Sequence, residues 1–275
     1  MTGARTGPLS DVLRRPLRDA SDTALLASAS PLVLREAVLA LAALDDPTPT
    51  RLLGTGDALD ALVDDFAAAT RAADLRANDG LELRRVDDAT LPSVVVADET
   101  VTTVAALPGG EDVALESDDG GAVAAARDAL EATARDTDPY EFSAPAYAAM
   151  LDRLGRDVDE GARADAEAVL DADVRIRRSA GDLDEVDLFI LLAARNDAQL
   201  YTLSGWAEAV GIASRATISV RKRRLEDSGL VATEKVPTDV GRPRQQLTLG
   251  DDDLRDATPT DVVRTARGVL GRPDP

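Results

Sequence analysis

The stretch from Ser214 to Val231 admits few folds. Ser214 is suited to cap a helix and Gly229 to end it before a strand opens at Leu230. That helix carries Arg215, Arg221, Lys222, Arg223 and Arg224, in a chain with 51 acidic and 31 basic residues and a net charge of −20. From Gly211 to Leu247 there are eight cations against four anions, so the remainder carries −24. Cations gathered on one helix of an acidic protein are the electrostatic footprint of a nucleic-acid surface.

The flanking sequence completes a winged helix-turn-helix. Asp182, with Glu185 three residues on, reads as a capping box for an apolar helix over Val186 to Ala194. Leu203 to Val210 reads as a second helix, and Gly211 as a turn needing left-handed backbone. After the basic helix, Leu230 to Val236 and Gln245 to Leu249 read as the strands of a wing. Its tip, 237–244, carries Arg242 and Arg244 around Pro243, which suits contact with a phosphate backbone or minor groove.

At about 100° per residue, Ile218 and Leu225 share the inner face of the basic helix. Arg221 and Lys222 flank that face, with stems over the core and charges snorkelling outward. The outer face presents Ala216, Thr217, Ser219, Val220, Arg223 and Arg224. Arginine bonds guanine bidentately, hydroxyls reach bases or phosphates, and small apolar groups touch the thymine methyl. Ser214 and Arg215 sit at the helix start, where free amides favour a phosphate. The expected DNA-binding residues are therefore Ser214, Arg215, Thr217, Ser219, Val220, Arg223, Arg224, Arg242 and Arg244. The expected partner is double-stranded DNA.

The first half reads differently. Helices are expected over Leu9 to Asp19 (limited or kinked by Pro16), Pro31 to Leu44 behind a Ser30 cap, and Ala122 to Ala134. One long helix is expected from an Asp57 cap to Asn78, with Leu59, Leu62, Val63, Phe66, Ala69 and Ala73 on one stripe. Strands are expected over Thr23 to Ala27, Thr50 to Gly54, Leu81 to Val86, Ser93 to Ala97, Val101 to Leu107 and Val113 to Glu116, with Tyr140 to Phe142 as one more. Asp98-Glu99, Pro108-Gly109-Gly110 and Asp118 to Gly121 read as turns. The pattern predicts an α/β domain over 1–145, a mixed sheet with flanking helices. A helical connector over 146–181, broken near Leu154-Gly155, leads to the winged helix-turn-helix over 182–250. The tail, 251–275, holds a short helix from Pro259 to Leu270.

Composition sets further bounds. Aromatics are 3% against 44% hydrophobic residues, so the core must be built from Ala, Val and Leu. No Cys and no His occur, which removes disulfides, thiolates and imidazole chemistry. Lysine occurs only at Lys222 and Lys235. Abundant Asp with scarce Lys resembles the cytosolic proteins of organisms that accumulate salt, where dense carboxylates keep copies apart and salt screens their repulsion. Met1 to Asp19 lacks a signal-peptide run, and no apolar stretch is long enough to span a bilayer, so a cytoplasmic protein without membrane association is expected.

The quoted residues resemble the TbsP family of haloarchaeal transcriptional regulators. The likeness runs over Ala213 to Ser219, Lys222, Arg224 to Leu230 and Thr233 to Arg244, with Leu183 to Val186, Leu191 to Asn196, Val63 to Phe66 and Ala72 to Leu75 also similar. The resemblance implies a DNA-binding regulator, of sugar or central carbon metabolism genes. The basic run Arg221 to Arg224 is denser than the family pattern.

Other classes fare less well. Gly54-Thr55-Gly56 lacks the Lys-Ser/Thr of a phosphate loop, and the Asp pairs read as solvated surface rather than metal sites. No nucleophile–base arrangement stands out, so no enzyme, metal or cofactor is expected. Two alternatives remain: a winged-helix protein-interaction module, or a regulator whose α/β domain binds an unidentified small-molecule effector. The α/β domain is expected to make a homodimer.

Overall fold

The computed structural model describes residues 3–87, 91–106, 112–172, 174–178, 183–237 and 244–271. The chain divides into two compact units, one of 1–64 with 68–143 and the other of 65–67 with 144–275. The α/β organisation of the first and the helix-turn-helix of the second are as the sequence implies. Residues 146–171, expected to connect domains, instead place Met150, Leu151, Leu154, Val169 and Leu170 in the core of the second unit.

In the first unit β1 (Gly3–Gly7), α1 (Leu9–Arg18), β2 (Ala24–Ser28), α2 (Pro31–Ala42), β3 (Thr50–Thr55), α3 (Gly56–Asp64) and α4 (Phe66–Ala77) follow in order. Then come β4 (Leu81–Val86), β5 (Val94–Ala97), β6 (Thr100–Ala105), β7 (Asp112–Ser117) and α5 (Gly120–Arg135). One sheet has the order β1-β7-β6-β5-β2-β3-β4; β2, β3 and β4 run parallel and the other pairs are antiparallel. Strand alternation sends Leu26, Leu52, Leu83 and Val95 to the face under α1 to α4. Leu25, Ala27, Leu53 and Val96 go to the face under α5 with Val123 and Leu130. Every residue of β2 is buried, as a strand covered on both faces must be.

Local chemistry explains several boundaries. Ser30 Oγ accepts from the Val33 amide and Pro31 opens α2. Pro16 lies inside α1, which continues two residues beyond it. Asp98 takes φ 44° in the hairpin turn where Ala97 pairs Thr100.

In the first unit four expectations need correction. The helix from Asp57 is two helices: Asp65 bridges Arg177, and the Phe66 amide donates to the Ile176 carbonyl at 2.8 Å, which interrupts the ladder. Asp57 lies in the first turn of α3 rather than at its cap. Tyr140 to Phe142 is no strand; Pro139 makes an isolated bridge with Arg84, and the Tyr140 amide donates to Leu83. Gly120-Gly121 opens α5, capped by Asp119, instead of forming a turn. The turn expected at Pro108 to Gly110 lies outside the described residues.

The second unit comprises α6 (Tyr147–Asp157), α7 (Glu160–Asp171), α8 (Glu185–Arg195), α9 (Leu200–Ala209), α10 (Arg215–Asp227), β8 (Val231–Val236), β9 (Arg244–Leu249), α11 (Asp252–Arg255) and α12 (Pro259–Leu270). The break between α6 and α7 falls at Val158-Asp159, where Asp159 caps α7, and not at Leu154-Gly155. Phe189 of α8 centres the core, edge-on to Phe66 at 5.8 Å and to Trp206 at 4.7 Å. Helix α12, expected as a tail, buries Val262, Val263 and Ala266 in the same core. Among the described residues no helix is long and apolar enough to cross a membrane.

Candidate nucleic-acid interface

Three helices and a hairpin carry the site. The cap of α8 is Asp184, whose Oδ1 accepts from the Val186 and Asp187 amides; the expected cap, Asp182, lies outside the described residues. Helix α9 ends in a turn at Gly211, φ 78°, a backbone conformation that glycine takes without strain. Ser214 Oγ then accepts from the Thr217 amide and opens α10. Gly229, φ 75°, closes it: the Leu230 amide reaches Leu225 and the Gly229 amide reaches Glu226. This is the left-handed helix stop the sequence promised.

Helix α10 has two faces of opposite purpose. Ile218 and Leu225 are wholly buried. Beside them lies an ionic anchor. Asp184 and Asp187 are 1% and 0% exposed, on the apolar helix below. Arg221 bonds Asp184, and its Nη1 lies 3.5 Å from Asp187 Oδ2. Arg224 Nη1 donates to the same Oδ2 at 3.0 Å. Lys222 reaches Glu226 at 2.8 Å and Thr233 at 3.4 Å. The expected flanking role of Arg221 and Lys222 therefore has specific partners. Arg224, expected on the reading edge, has its guanidinium drawn to Asp187.

The outer face holds Ala216, Thr217, Ser219, Val220 and Arg223, all exposed, with Val220 at 67%. Arg223 makes no hydrogen bond or ion pair among the described residues. The Ser214 and Thr217 hydroxyls lie 2.8 Å apart, and Ser219 Oγ donates to the Arg215 carbonyl. Arg215 Nε donates to Glu208 at 2.8 Å, and Arg244 Nη1 to Gln199 at 2.9 Å. Arg242 and most of the wing tip, 238–243, lie outside the described residues. Among the described residues no group of three or more acids is placed to hold a metal ion.

Sequence reasoning missed Asp184, Asp187 and Tyr201. The two acids stand three apart at the start of an apolar helix, which puts both on one face. A pair of acids there, facing a basic helix, was the available signal.

Burial pushes the Asp187 carboxyl up to about 6, and repulsion from Asp184 adds to it, against the opposing pull of Arg221 and Arg224. Its Oδ1 is buried with no hydrogen-bond partner among the described residues. A carboxyl whose pKa rises on folding holds its proton more tightly in the folded chain. Its contribution to stability is full below the unfolded value, 3.8, and is lost as pH rises through about 6. From pH 7.5 to pH 5 it should add about 1 kcal/mol, at 1.36 kcal/mol per unit. Urea unfolding at the two pH values is expected to show this gain reduced by that amount in Asp187→Asn; an identical pH response in both proteins would contradict the assignment.

The architecture defines a winged helix-turn-helix unit joined in one chain to an α/β unit. The model of TbsP-like transcriptional regulators, N-terminal, matches residues 4–145, and the model of the C-terminal helix-turn-helix domain of the same regulators matches 146–267. The chain belongs to the TbsP-like family of transcriptional regulators. No curated protein matches the sequence. Among solved structures it is similar to TrmBL2, an archaeal chromatin protein, at 16% identity and TM-score 0.37, over 50% of this chain. It spans about half of that protein, 54%. It is also similar to Nuc of Salmonella typhimurium, a phospholipase D family member, at 12% identity and TM-score 0.35, over 52% of this chain and 100% of the other. NucT from Helicobacter pylori matches at 9% identity and TM-score 0.32, over 51% and 100%.

Proposed function

We infer that the chain is a sequence-specific regulator that lays α10 in the major groove of double-stranded DNA. The observation carrying this reading is the division of α10. Arg221 and Arg224 are tied to buried carboxylates, while Thr217, Ser219, Val220 and Arg223 face solvent. A helix with its inner cations pinned presents a fixed outer edge, which base reading requires. The reading takes the protein as a regulator and not an enzyme.

The finer reading has separate supports. Family membership and the resemblance described above favour target genes of sugar or central carbon metabolism. The Asp-rich, Lys-poor composition favours the cytoplasm of a halophilic archaeon. The α/β unit is read as the dimerising part, which would place two wings on a pseudo-palindrome. Light scattering in molar KCl is expected to give the mass of two chains; a monomer with and without DNA sinks that part. Whether the same unit also takes a metabolite is open to a titration of the full chain against sugars and sugar phosphates.

The DNA reading is tested by selecting duplexes from a random-sequence pool with the full chain. One enriched motif is expected. Arg223→Ala should lose about 1–3 kcal/mol on that motif and relax preference at one base pair. Equal binding of all duplexes, or none, by the wild type would favour a protein-interaction module.

A further inference from the structure

Beside the outer face of α10 lies a cleft of about 420 Å³, lined among others by Tyr201, Ser204, Arg215, Ser219, Arg244 and Gln245. Tyr201 is 62% exposed, whereas the other six aromatics are buried or half-buried. Two guanidinium groups share its ring: Arg215 Cζ lies 5.6 Å and Arg244 Cζ 5.7 Å from the centroid. The ring attracts each cation, but two cations held beside one ring repel each other. In a chain of net charge −20, such a pair marks a place for an anion.

The fixed bonds show which groups remain to meet it. Ser204 and Ser219 donate to the backbone carbonyls of Leu200 and Arg215. Arg215 is steadied through Nε by Glu208 and is also hydrogen-bonded to the Tyr201 side chain, and it lines the cleft. Arg244 is steadied by a neutral amide, Gln199. A planar guanidinium has five N–H donors, more than these bonds use, and its fork matches the two oxygens of a phosphodiester. Arg215 is the first residue of α10 and Arg244 the first of β9, so one anion there would touch both the reading helix and the root of the wing. The wing root is itself stitched to the start of α9, by the Gln199–Gln246 bridge and by the Leu247 amide on Ala198 at 2.9 Å.

We propose that Tyr201, Arg215 and Arg244 clamp one backbone phosphate of duplex DNA and so set the register of α10 on the bases. The clamp rests on the DNA-binding reading above. Its role is positioning: phosphate contacts fix orientation while base contacts supply the sequence preference. Tyr201 holds the two guanidinium groups and gives the flanking sugar an apolar wall.

The test uses the full chain and the duplex it selects, with each phosphate replaced in turn by a neutral methylphosphonate. The wild type is expected to lose affinity about tenfold at one phosphate per bound recognition helix, the worth of a charge-assisted hydrogen bond. In Arg215→Ala/Arg244→Ala that same replacement should cost less than about twofold, and the salt slope of binding should fall by about two, one for each lost cation. Tyr201→Ala should blunt the same phosphate while Tyr201→Phe restores it. These residues are exposed, and circular dichroism would verify that the variants keep their fold. Selection of a duplex with no such coupling overturns the clamp alone. Failure to select any duplex overturns the clamp and the DNA reading together. Displacement by inorganic phosphate, with no methylphosphonate coupling, assigns the cleft to a free anion and also overturns the clamp.

Discussion

Arg221→Ala is expected to cost the second unit about 3 kcal/mol, the low end for a broken buried ion pair, whereas Arg223→Ala, two residues on, should move it by less than about 0.5 kcal/mol. The two arginines differ only in what lies beneath them. Arg221 faces Asp184 and Asp187, both buried, and its loss leaves two carboxylates on one helix face, with Arg224 still paired to Asp187. Arg223 points to water. The sign of the pH dependence adds a second check. Below pH 6 Asp187 takes up a proton and needs its cation less, so the Arg221→Ala deficit should shrink from pH 7.5 to pH 5. Trp206 is the single tryptophan and is buried in the unit being perturbed, so its fluorescence follows the transition directly. Equal deficits for the two variants would mean that the anchor contributes nothing to holding α10.

Trp206→Ala is expected to cost about 3–5 kcal/mol, the range for emptying an aromatic core site. The ring is 1% exposed, sits edge-on to Phe189 and donates Nε1–H to the Met150 carbonyl at 3.3 Å. Alanine would open a cavity under α9 and remove the indole's hydrogen bond to that carbonyl. Trp206→Phe keeps most of the apolar contact and should lose far less, roughly the 1 kcal/mol of a hydrogen bond plus a small packing deficit. Thermal unfolding followed by circular dichroism measures both. A cost under about 1 kcal/mol for alanine would show that the helices of this unit close over the gap. Because Ile218 and Leu225 rest on the same core, Trp206→Ala should also weaken DNA binding with no residue of the outer face changed.

What the sequence disclosed follows a physical rule. Elements set by local chemistry were legible: Ser30-Pro31 for α2, Ser214 and Gly229 for α10, Pro259 to Leu270 for α12. Periodicity also found the buried pair Ile218 and Leu225. Elements set by distant partners were hidden. β1 has the sequence Gly-Ala-Arg-Thr-Gly, with no apolar alternation, and exists as a strand through its pairing with β7. The break at Asp65 comes from Arg177 and Ile176, more than a hundred residues away. The site behaved alike. The outer face of α10 could be drawn on a helical wheel, but a wheel cannot say which arginine finds a buried acid. Arg224 therefore falls on the reading edge of the wheel but joins the anchor in the structure, and Tyr201 carries no sequence signal because its partners come from two other elements.

The chain has no cysteine, so Val220→Cys places one thiol, and one photocrosslinker, on the outer face of α10. A matched probe at the exposed Leu115 of β7 serves as control. With the selected duplex bound, the probe at position 220 is expected to crosslink to bases at one position in the major groove, and the probe at 115 to give no base crosslink. Bound DNA that crosslinks equally from both positions, or from neither, would contradict the assignment of α10 as the reading helix.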